Sequence, residues 1–391
     1  MMREVMREMM YSLQGYGKMI ADRVRMSAYA RALEETIRPN STVVDIGAGT
    51  GIMSLLACKF GARKVIAIEP SSAIHIAREL ADVNGMADRI EFIRDVSTNV
   101  TLQERVDVIV SDLRGILPLL TTHLPSIVDA RERFLSSTGQ LIPRKDRLWV
   151  ALVEAGDAYA ALNAGWTALD SSIDLLPLQK YLTNLRRKEE CASDQLLMAP
   201  CSWAELDYRT VAVANVAGEA VAVATRTGVA HGLCLWFDTE LTGNVGFSTG
   251  PADPKSIYGR LLLPLSAPVK VEAGDAISLK LRADLVDADY VWQWETRITS
   301  VMSAPGIKAD FKQSTFLGAP LAIDELRRTA ADYVPQLNEN GRIDLYILSN
   351  LSNGLSLGEI ARRTCAAFPQ QFEAWHSALK RVAQVASRYG L

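Results

Sequence analysis

Between Val43 and Gly51 the chain reads Val-Val-Asp-Ile-Gly-Ala-Gly-Thr-Gly, a short apolar strand running into a glycine-rich turn. Glycine lets a backbone bend into the left-handed region and lets a ligand approach with no β-carbon in the way. Such a turn between a buried strand and a helix belongs to the carboxyl edge of a parallel sheet. The following residues fit that setting. Ile52 to Phe60 carries helical spacing, Val65 to Ile68 reads as a strand, Ala73 to Asn84 as a helix, and Ile90 to Ile93 and Val106 to Val110 as strands. Apolar strands alternating with helices predict an α/β, doubly wound Rossmann-like sheet covered on both faces. Upstream, helical spacing from about Val5 to Ile37 ends at Pro39-Asn40-Ser41.

Beyond Pro143 the pattern changes. Leu148 to Val153, Val211 to Val216, Ala220 to Ala224, Gly232 to Phe237, Leu261 to Leu265 and Ala276 to Arg282 read as strands without crossover helices. They predict an antiparallel, barrel-like domain with a helical insertion near Asp157 to Ala199. The run Arg186-Arg187-Lys188-Glu189-Glu190 reads as a solvated helix face within that insertion. From about Leu321 the spacing is helical again, through Ile343, Leu345, Leu348, Leu351, Leu357 and Ile360 and on to a last helix from Phe372 to Tyr389. A chain of 391 residues accommodates these as three domains, 1–145, 146–318 and 319–391.

Composition narrows the partners. A net charge of −3 with 22% charged residues gives no strong field, so nucleic acid is not an expected partner. Five scattered cysteines form no C-x-x-C pair and no metal-ligand spacing, which predicts reduced thiols in a cytoplasm and no bound metal. The first residues mix both charge signs and lack the apolar core of a secretory signal, and nowhere is there an apolar run long enough to span a bilayer. Neither export nor a membrane site is expected.

The turn also indicates its ligand. A dinucleotide fingerprint, G-x-G-x-x-G, needs glycine at position 52, where this chain has Ile52, so a nicotinamide dehydrogenase is disfavoured. Asp45, just before the turn formed by Gly47, Gly49 and Gly51, would repel a pyrophosphate but can face the amino group or sulfonium of S-adenosylmethionine. Glu69, eighteen residues after Gly51 and at the end of the second strand, can accept both ribose hydroxyls. Asp95 can take the adenine amino group while Val96 packs on the ring. Acids at successive strand ends point to S-adenosylmethionine as cofactor, with S-adenosylhomocysteine as product.

Further residues carry a resemblance. Gly61-Ala62-Arg63-Lys64-Val65, Ser111-Asp112-Leu113-Arg114-Gly115, Asp129-Ala130-Arg131 and Leu141-Ile142-Pro143, with Met19, Asp22, Arg25 and Tyr29 upstream, resemble the protein arginine methyltransferases from roughly Tyr11 to Val153. The resemblance implies a helix-first cofactor domain, then a β-barrel carrying a helical dimerisation arm, hence a homodimer. It assigns Arg25 to the cofactor carboxylate, which a guanidinium can grip by two parallel hydrogen bonds. In that family two glutamates after the fourth strand hold the substrate guanidinium. Here the first position is Asp112 and the second falls on the uncharged Thr121. The family's threonine-histidine-tryptophan loop maps near Ser256-Ile257-Tyr258, so its histidine is missing. Asp112 is the expected catalytic residue, with Tyr258, His123 and Tyr16 as further candidates for its pocket.

Methyl transfer mainly requires a nucleophile placed in line with an already activated methyl group. The expectation is therefore a methyltransferase acting on a nitrogen or oxygen of a peptide or small molecule. The alternative is a cofactor-binding scaffold or peptide-binding protein without catalysis. Leu337-Asn338-Glu339-Asn340-Gly341 and Leu357-Gly358-Glu359-Ile360-Ala361 are similar to small winged-helix modules that recognise peptide precursors.

Overall fold

The computed structural model describes residues 12–167, 173–301, 306–320 and 322–390. Residues 5–11 of the expected first helix and 168–172 of the insertion lie outside them. The chain divides into two compact units, Met1–Pro320 and Leu321–Leu391.

The first unit opens with α1 (Leu13–Ala21) and α2 (Arg23–Thr36). Sequence spacing predicted a helical stretch here, and Asp22 divides it into two helices. Its extended backbone, φ −69° and ψ 94°, ends α1, while its carboxylate accepts from the Arg25 N–H at 3.1 Å and starts α2. The second oxygen accepts from the Ile257 N–H at 2.8 Å, tying the helix junction to a distant loop.

The sheet follows as β1 (Thr42–Ile46), α3 (Ile52–Lys59), β2 (Lys64–Ile68), α4 (Ala73–Val83), β3 (Ile90–Ile93), β4 (Val106–Ser111), α5 (His123–Arg133) and β5 (Leu135–Ile142). The strands are all parallel in the order β3-β2-β1-β4-β5. This is the doubly wound sheet that the alternation predicts. The strand order reverses between β1 and β4, the position outside whose carboxyl ends open α/β sheets bind their ligands. Register aligns Ile46 with both Ile68 and Ser111, and Ile68 with Ile93. Gly47, Glu69, Asp95 and Asp112 therefore come off neighbouring strands along one edge.

Antiparallel strands make up the rest of the unit: β6 (Lys145–Val153), β7 (Arg187–Glu189), β8 (Cys201–Asp207), β9 (Val216–Val223), β10 (Gly228–Glu240), β11 (Gly246–Ser248), β12 (Arg260–Val271), β13 (Ala276–Val286), β14 (Asp289–Ser300) and β15 (Gly306–Ser314). One sheet runs β7-β12-β10-β6-β8 with β11 on β10, the other β15-β14-β13-β9. Their inner faces meet in one core, with Leu148, Val150, Leu233, Leu235, Leu261, Leu263, Trp292 and Trp294 buried. The result is the barrel-like domain expected from the sequence.

Three local expectations need correction. The strand placed at Val211 to Val216 starts only at Val216 and merges with the next as β9. Among its described residues, the insertion is helical only in α6 (Gly156–Thr167), the short α7 (Gln179–Leu182) and brief single turns. The charge run at 186–190 is not a helix face, because Arg187–Glu189 pairs as β7 with β12. Its charges have partners in the barrel: Arg186 grips both Asp289 oxygens at 2.7 and 2.9 Å, and Glu190 accepts from Arg260 at 2.8 Å.

The second unit holds α8 (Ile323–Arg328), α9 (Glu339–Leu351), α10 (Leu357–Ala367) and α11 (Trp375–Tyr389), with no strand among its described residues. Ile343, Ile347, Ile360, Ala378 and Val382 make its own core. Asn338 and Ser356 cap α9 and α10 with side-chain oxygens. Among the described residues, no helix is long and apolar enough to cross a membrane.

Candidate active site

The β1–α3 turn needs its glycines. Gly47 and Gly49 have φ of 71° and 55°, and a β-carbon there would collide with Leu113 and with the Tyr16 ring respectively. Gly51, also at positive φ, is the N-cap of α3. Tyr16, on α1, thus lies directly over the turn.

The acids stand around it. Asp45, near the end of β1, is buried and accepts from Ser54 Oγ at 2.7 Å. Burial pushes its carboxyl up to about 6, against the hydrogen bonds from Ser54 that favour the charged form. Glu69 follows β2, and its two oxygens accept from the Gly49 N–H at 3.0 Å and the Ser71 N–H at 2.9 Å. The acid thereby fixes the glycine turn, yet each oxygen keeps acceptor capacity. Asp95 accepts from the Val96 N–H and from Asn99 Nδ2 through one oxygen, at 2.7 and 2.9 Å. The Val96 side chain beside it is 44% exposed, an apolar surface without a cover of its own.

At the end of β4 the geometry is of another kind. Asp112 Oδ2 accepts from Arg25 Nε and from the Tyr258 hydroxyl, both at 2.6 Å, and Oδ1 accepts from Arg114 Nε at 3.2 Å. Burial would raise the Asp112 carboxyl, but the adjacent Arg25 and Arg114 guanidiniums outweigh it and hold the group well below the usual carboxylate range. A carboxylate held this way is a weak base; it anchors rather than takes protons. Burial likewise works against the charge on Arg25, and Asp112 more than restores it. Arg25 Nη1 donates to the Met19 carbonyl at 3.2 Å. The Tyr258 phenol is pushed up by burial and by Asp112, so it stays protonated and donates.

Sequence reasoning brought Arg25, Asp112 and Tyr258 forward, and the structure joins them. His123 is elsewhere in the network. It begins α5 in the core, with Nε2 3.0 Å from the Tyr208 hydroxyl, which donates to Asp146 at 2.5 Å. Burial, with Arg114 adding to it, lowers His123 to about 3, so the ring is neutral and does not meet Asp112 directly. Thr121 precedes α5 at φ 62°, a strained setting for a β-branched residue. Arg114, Asp146, Tyr208 and Thr239 were missed. A signal existed for Arg114, the one charge in the otherwise apolar loop from Leu113 to Leu120.

The donor set suits S-adenosylmethionine. Buried and strand-end carboxylates offer acceptors of the kind its cationic and hydroxyl groups need, and an exposed valine offers a ring surface. Comparisons with known proteins bear on the same point. Residues 27–156 match the family model described as ribosomal protein L11 methyltransferase, and 144–297 that of the arginine methyltransferase oligomerization subdomain. Protein arginine N-methyltransferase 6 of Danio rerio is 31% identical over 65% of this chain and 77% of its own length. Protein arginine N-methyltransferase PRMT10 of Arabidopsis thaliana is 27% identical over 67% and 78%. In fold, the chain is similar to the crystal structure of Arabidopsis thaliana protein arginine methyltransferase 10, with a TM-score of 0.68, 24% identity and coverage of 78% of this chain and 98% of that one. A Trypanosoma brucei arginine methyltransferase enzyme–prozyme complex gives a TM-score of 0.71 at 23% identity, covering 78% and 99%. With its glycine turn, its strand-end acids and these relatives, the chain belongs to the protein arginine methyltransferase family of S-adenosylmethionine-dependent methyltransferases.

Proposed function

We propose that this enzyme moves a methyl group from S-adenosylmethionine to a nitrogen or oxygen of a peptide or small-molecule acceptor, at the carboxyl edge of the sheet where the strand order reverses between β1 and β4. The observation that carries the reading is the register that brings Gly47, Glu69, Asp95 and Asp112 to one edge of the sheet at its reversal of strand order. In this reading Asp45, Glu69, Asp95 and Val96 hold the cofactor around the turn of Gly47, Gly49 and Gly51. Arg25 faces its carboxylate.

When bound, the cofactor supplies a methyl group already activated on sulfonium. The chain's own task is placement. Tyr16 closes over the turn and keeps water from it, while Asp112, fixed by Arg25, Arg114 and Tyr258, keeps the acceptor end rigid. His123 acts at most through Tyr208 and Asp146.

Glu69→Ala should weaken S-adenosylmethionine binding roughly 10- to 100-fold, the size expected for hydrogen bonds to a charged group, as read by calorimetry. The wild type should pass labelled methyl into a peptide or small-molecule fraction of a cell extract. Tight binding with no transfer would favour the second reading, a cofactor-binding scaffold, which the uncharged Thr121 and the engagement of Asp112 by Arg25, Arg114 and Tyr258 support.

We also propose the division into 1–145, 146–318 and 319–391, supported by the change from parallel to antiparallel pairing after β5 and by the separate helical core, and a cytoplasmic location, supported by scattered free cysteines. A homodimer is supported by the oligomerization-subdomain match and by Trp166 and Ile173, 47% and 62% exposed at the insertion. Light scattering at micromolar concentration should give twice the monomer mass; a single-chain mass would count against it.

A further inference from the structure

Arg114 sits three residues past β4, and its side chain is wholly buried. All its donors are engaged. Nε bonds Asp112 Oδ1 at 3.2 Å, and Nη1 bonds Asp146 Oδ1 at 3.0 Å and Thr239 Oγ1 at 2.6 Å. Nη2 donates to the hydroxyls of Tyr29 at 2.7 Å and Tyr258 at 3.3 Å. The rings of Tyr29, Phe237, Phe247 and Tyr258 surround the guanidinium carbon at 5.0 to 5.8 Å from their centroids. Two carboxylates, three hydroxyls and four rings form a complete guanidinium receptor, and the chain's own arginine fills it.

The same contacts use up what another guanidinium would need. Asp112 spends three of its roughly four lone-pair positions on Arg25, Tyr258 and Arg114, so it cannot grip a second fork by two bonds. Asp146 is shared between Arg114 and Tyr208. A cation arriving at this edge would find the charge of Asp112 and Asp146 already balanced by Arg25 and Arg114, so no net negative charge is left to offset its desolvation. Thr121 adds none.

We propose that Arg114 is a specificity-determining residue, a built-in occupant of the guanidinium receptor at the end of β4, so that the methyl acceptor is a nitrogen or oxygen nucleophile without a fixed positive charge. The inference rests on methyl transfer taking place at that edge. The acceptor's lone pair forms the bond to the methyl carbon, and the electron pair of the broken carbon–sulfur bond stays on sulfur. A proton from an amine or hydroxyl goes to water, and a carboxylate acceptor has none to lose. Asp112 takes no part as a base.

The full-length wild type, given methyl-labelled S-adenosylmethionine and a cell extract, should place its label outside methylarginine when protein hydrolysates and the small-molecule fraction are separated. Label recovered in methylarginine would overturn the inference while leaving the methyltransferase reading intact. Cofactor binding with no label anywhere would sink the methyltransferase reading, and a second measurement then decides the role of Arg114. Arg114→Ala opens a hole for a free guanidinium ion. Low-millimolar guanidinium chloride should raise its melting midpoint by a few degrees over matched potassium chloride and should not raise that of the wild type. No difference between the salts would show that the receptor does not exist. If stranding Asp146 prevents Arg114→Ala from folding, adding Asp146→Asn removes the uncompensated charge, and the same comparison is made on the double variant.

Discussion

Asp45 sets stability against binding within one side chain. Its carboxyl titrates near 6 in the folded protein, because burial disfavours the charge more than Ser54 favours it, and near 3.9 in an unfolded chain. Between those values the folded state holds more protons than the unfolded one, so this group's contribution to stability falls as pH rises from about 4 to 6. A shift of about two units costs roughly 3 kcal/mol at neutral pH. Asp45→Asn should therefore stabilise the free protein at pH 7.5 by about 1–3 kcal/mol and hardly change it at pH 4, as read by urea unfolding at both values. An unchanged midpoint at pH 7.5 would show that water or a cation relieves the buried charge. Under the proposed cofactor role, the same variant should bind S-adenosylmethionine more weakly, and wild-type affinity should fall by up to about tenfold per pH unit below 6. Asp112 belongs to the opposite class. Two guanidiniums hold it charged, so its removal strands Arg25 in the interior and leaves Arg114 to Asp146 alone, a loss of about 3–5 kcal/mol.

At the scale of elements, the β1–α3 turn and α1 form one device. Gly49 lies at φ 55° with the Tyr16 ring against its open side, and its N–H is fixed by Glu69. Gly49→Ala should cost about 1–2 kcal/mol in backbone strain and push Tyr16 off the turn. Loss of cofactor binding with little change in far-ultraviolet circular dichroism would be the sign; full affinity would mean that Tyr16 moves aside in the bound state. This region was legible in the sequence because strands buried on both faces read as plain apolar runs, and because glycine leaves a visible trace wherever φ is positive. The barrel was legible in part. β13 alternates cleanly, with Ile277, Leu279, Leu281 and Ala283 buried. β14 was as regular, with Tyr290, Trp292, Trp294 and Ile298 facing in, but its inward Thr296 and its charges weakened the signal. β15 fills its inward places with Ala309 and Gln313, and a register shift against β6 interrupts β8, so neither carries a usable period. The run at 186–190 misled because its charges pair with residues far along the chain, Asp289 and Arg260, which no local window contains.

The whole molecule repeats that lesson over longer distances. Among the candidate site residues, Asp45 and Glu69 were legible because each stands at or near a strand end, whereas Arg25 and Asp112 came from the family resemblance. The closed network was not legible, since Arg114 joins the β4 loop to Asp146 on β6 and Thr239 on β10, contacts that span 32 and 125 positions. All of it lies within the first compact unit. The family models match residues up to 297, and the helices beyond 320 have a separate core and their own Arg381–Asp344 ion pair at 2.6 Å. Two cores without a shared cluster need not melt together. A chain ending at Pro320 should keep S-adenosylmethionine affinity within about twofold and lower the melting midpoint of the cofactor unit by less than about 4 °C, the shift of roughly 1 kcal/mol at this size. Calorimetry of both chains checks it: the full-length protein should show an additional small transition that the shorter one lacks. A larger loss, or a truncated chain that no longer binds cofactor, would mean that the helical unit helps to complete the site, and the acceptor would then have to be sought against both units.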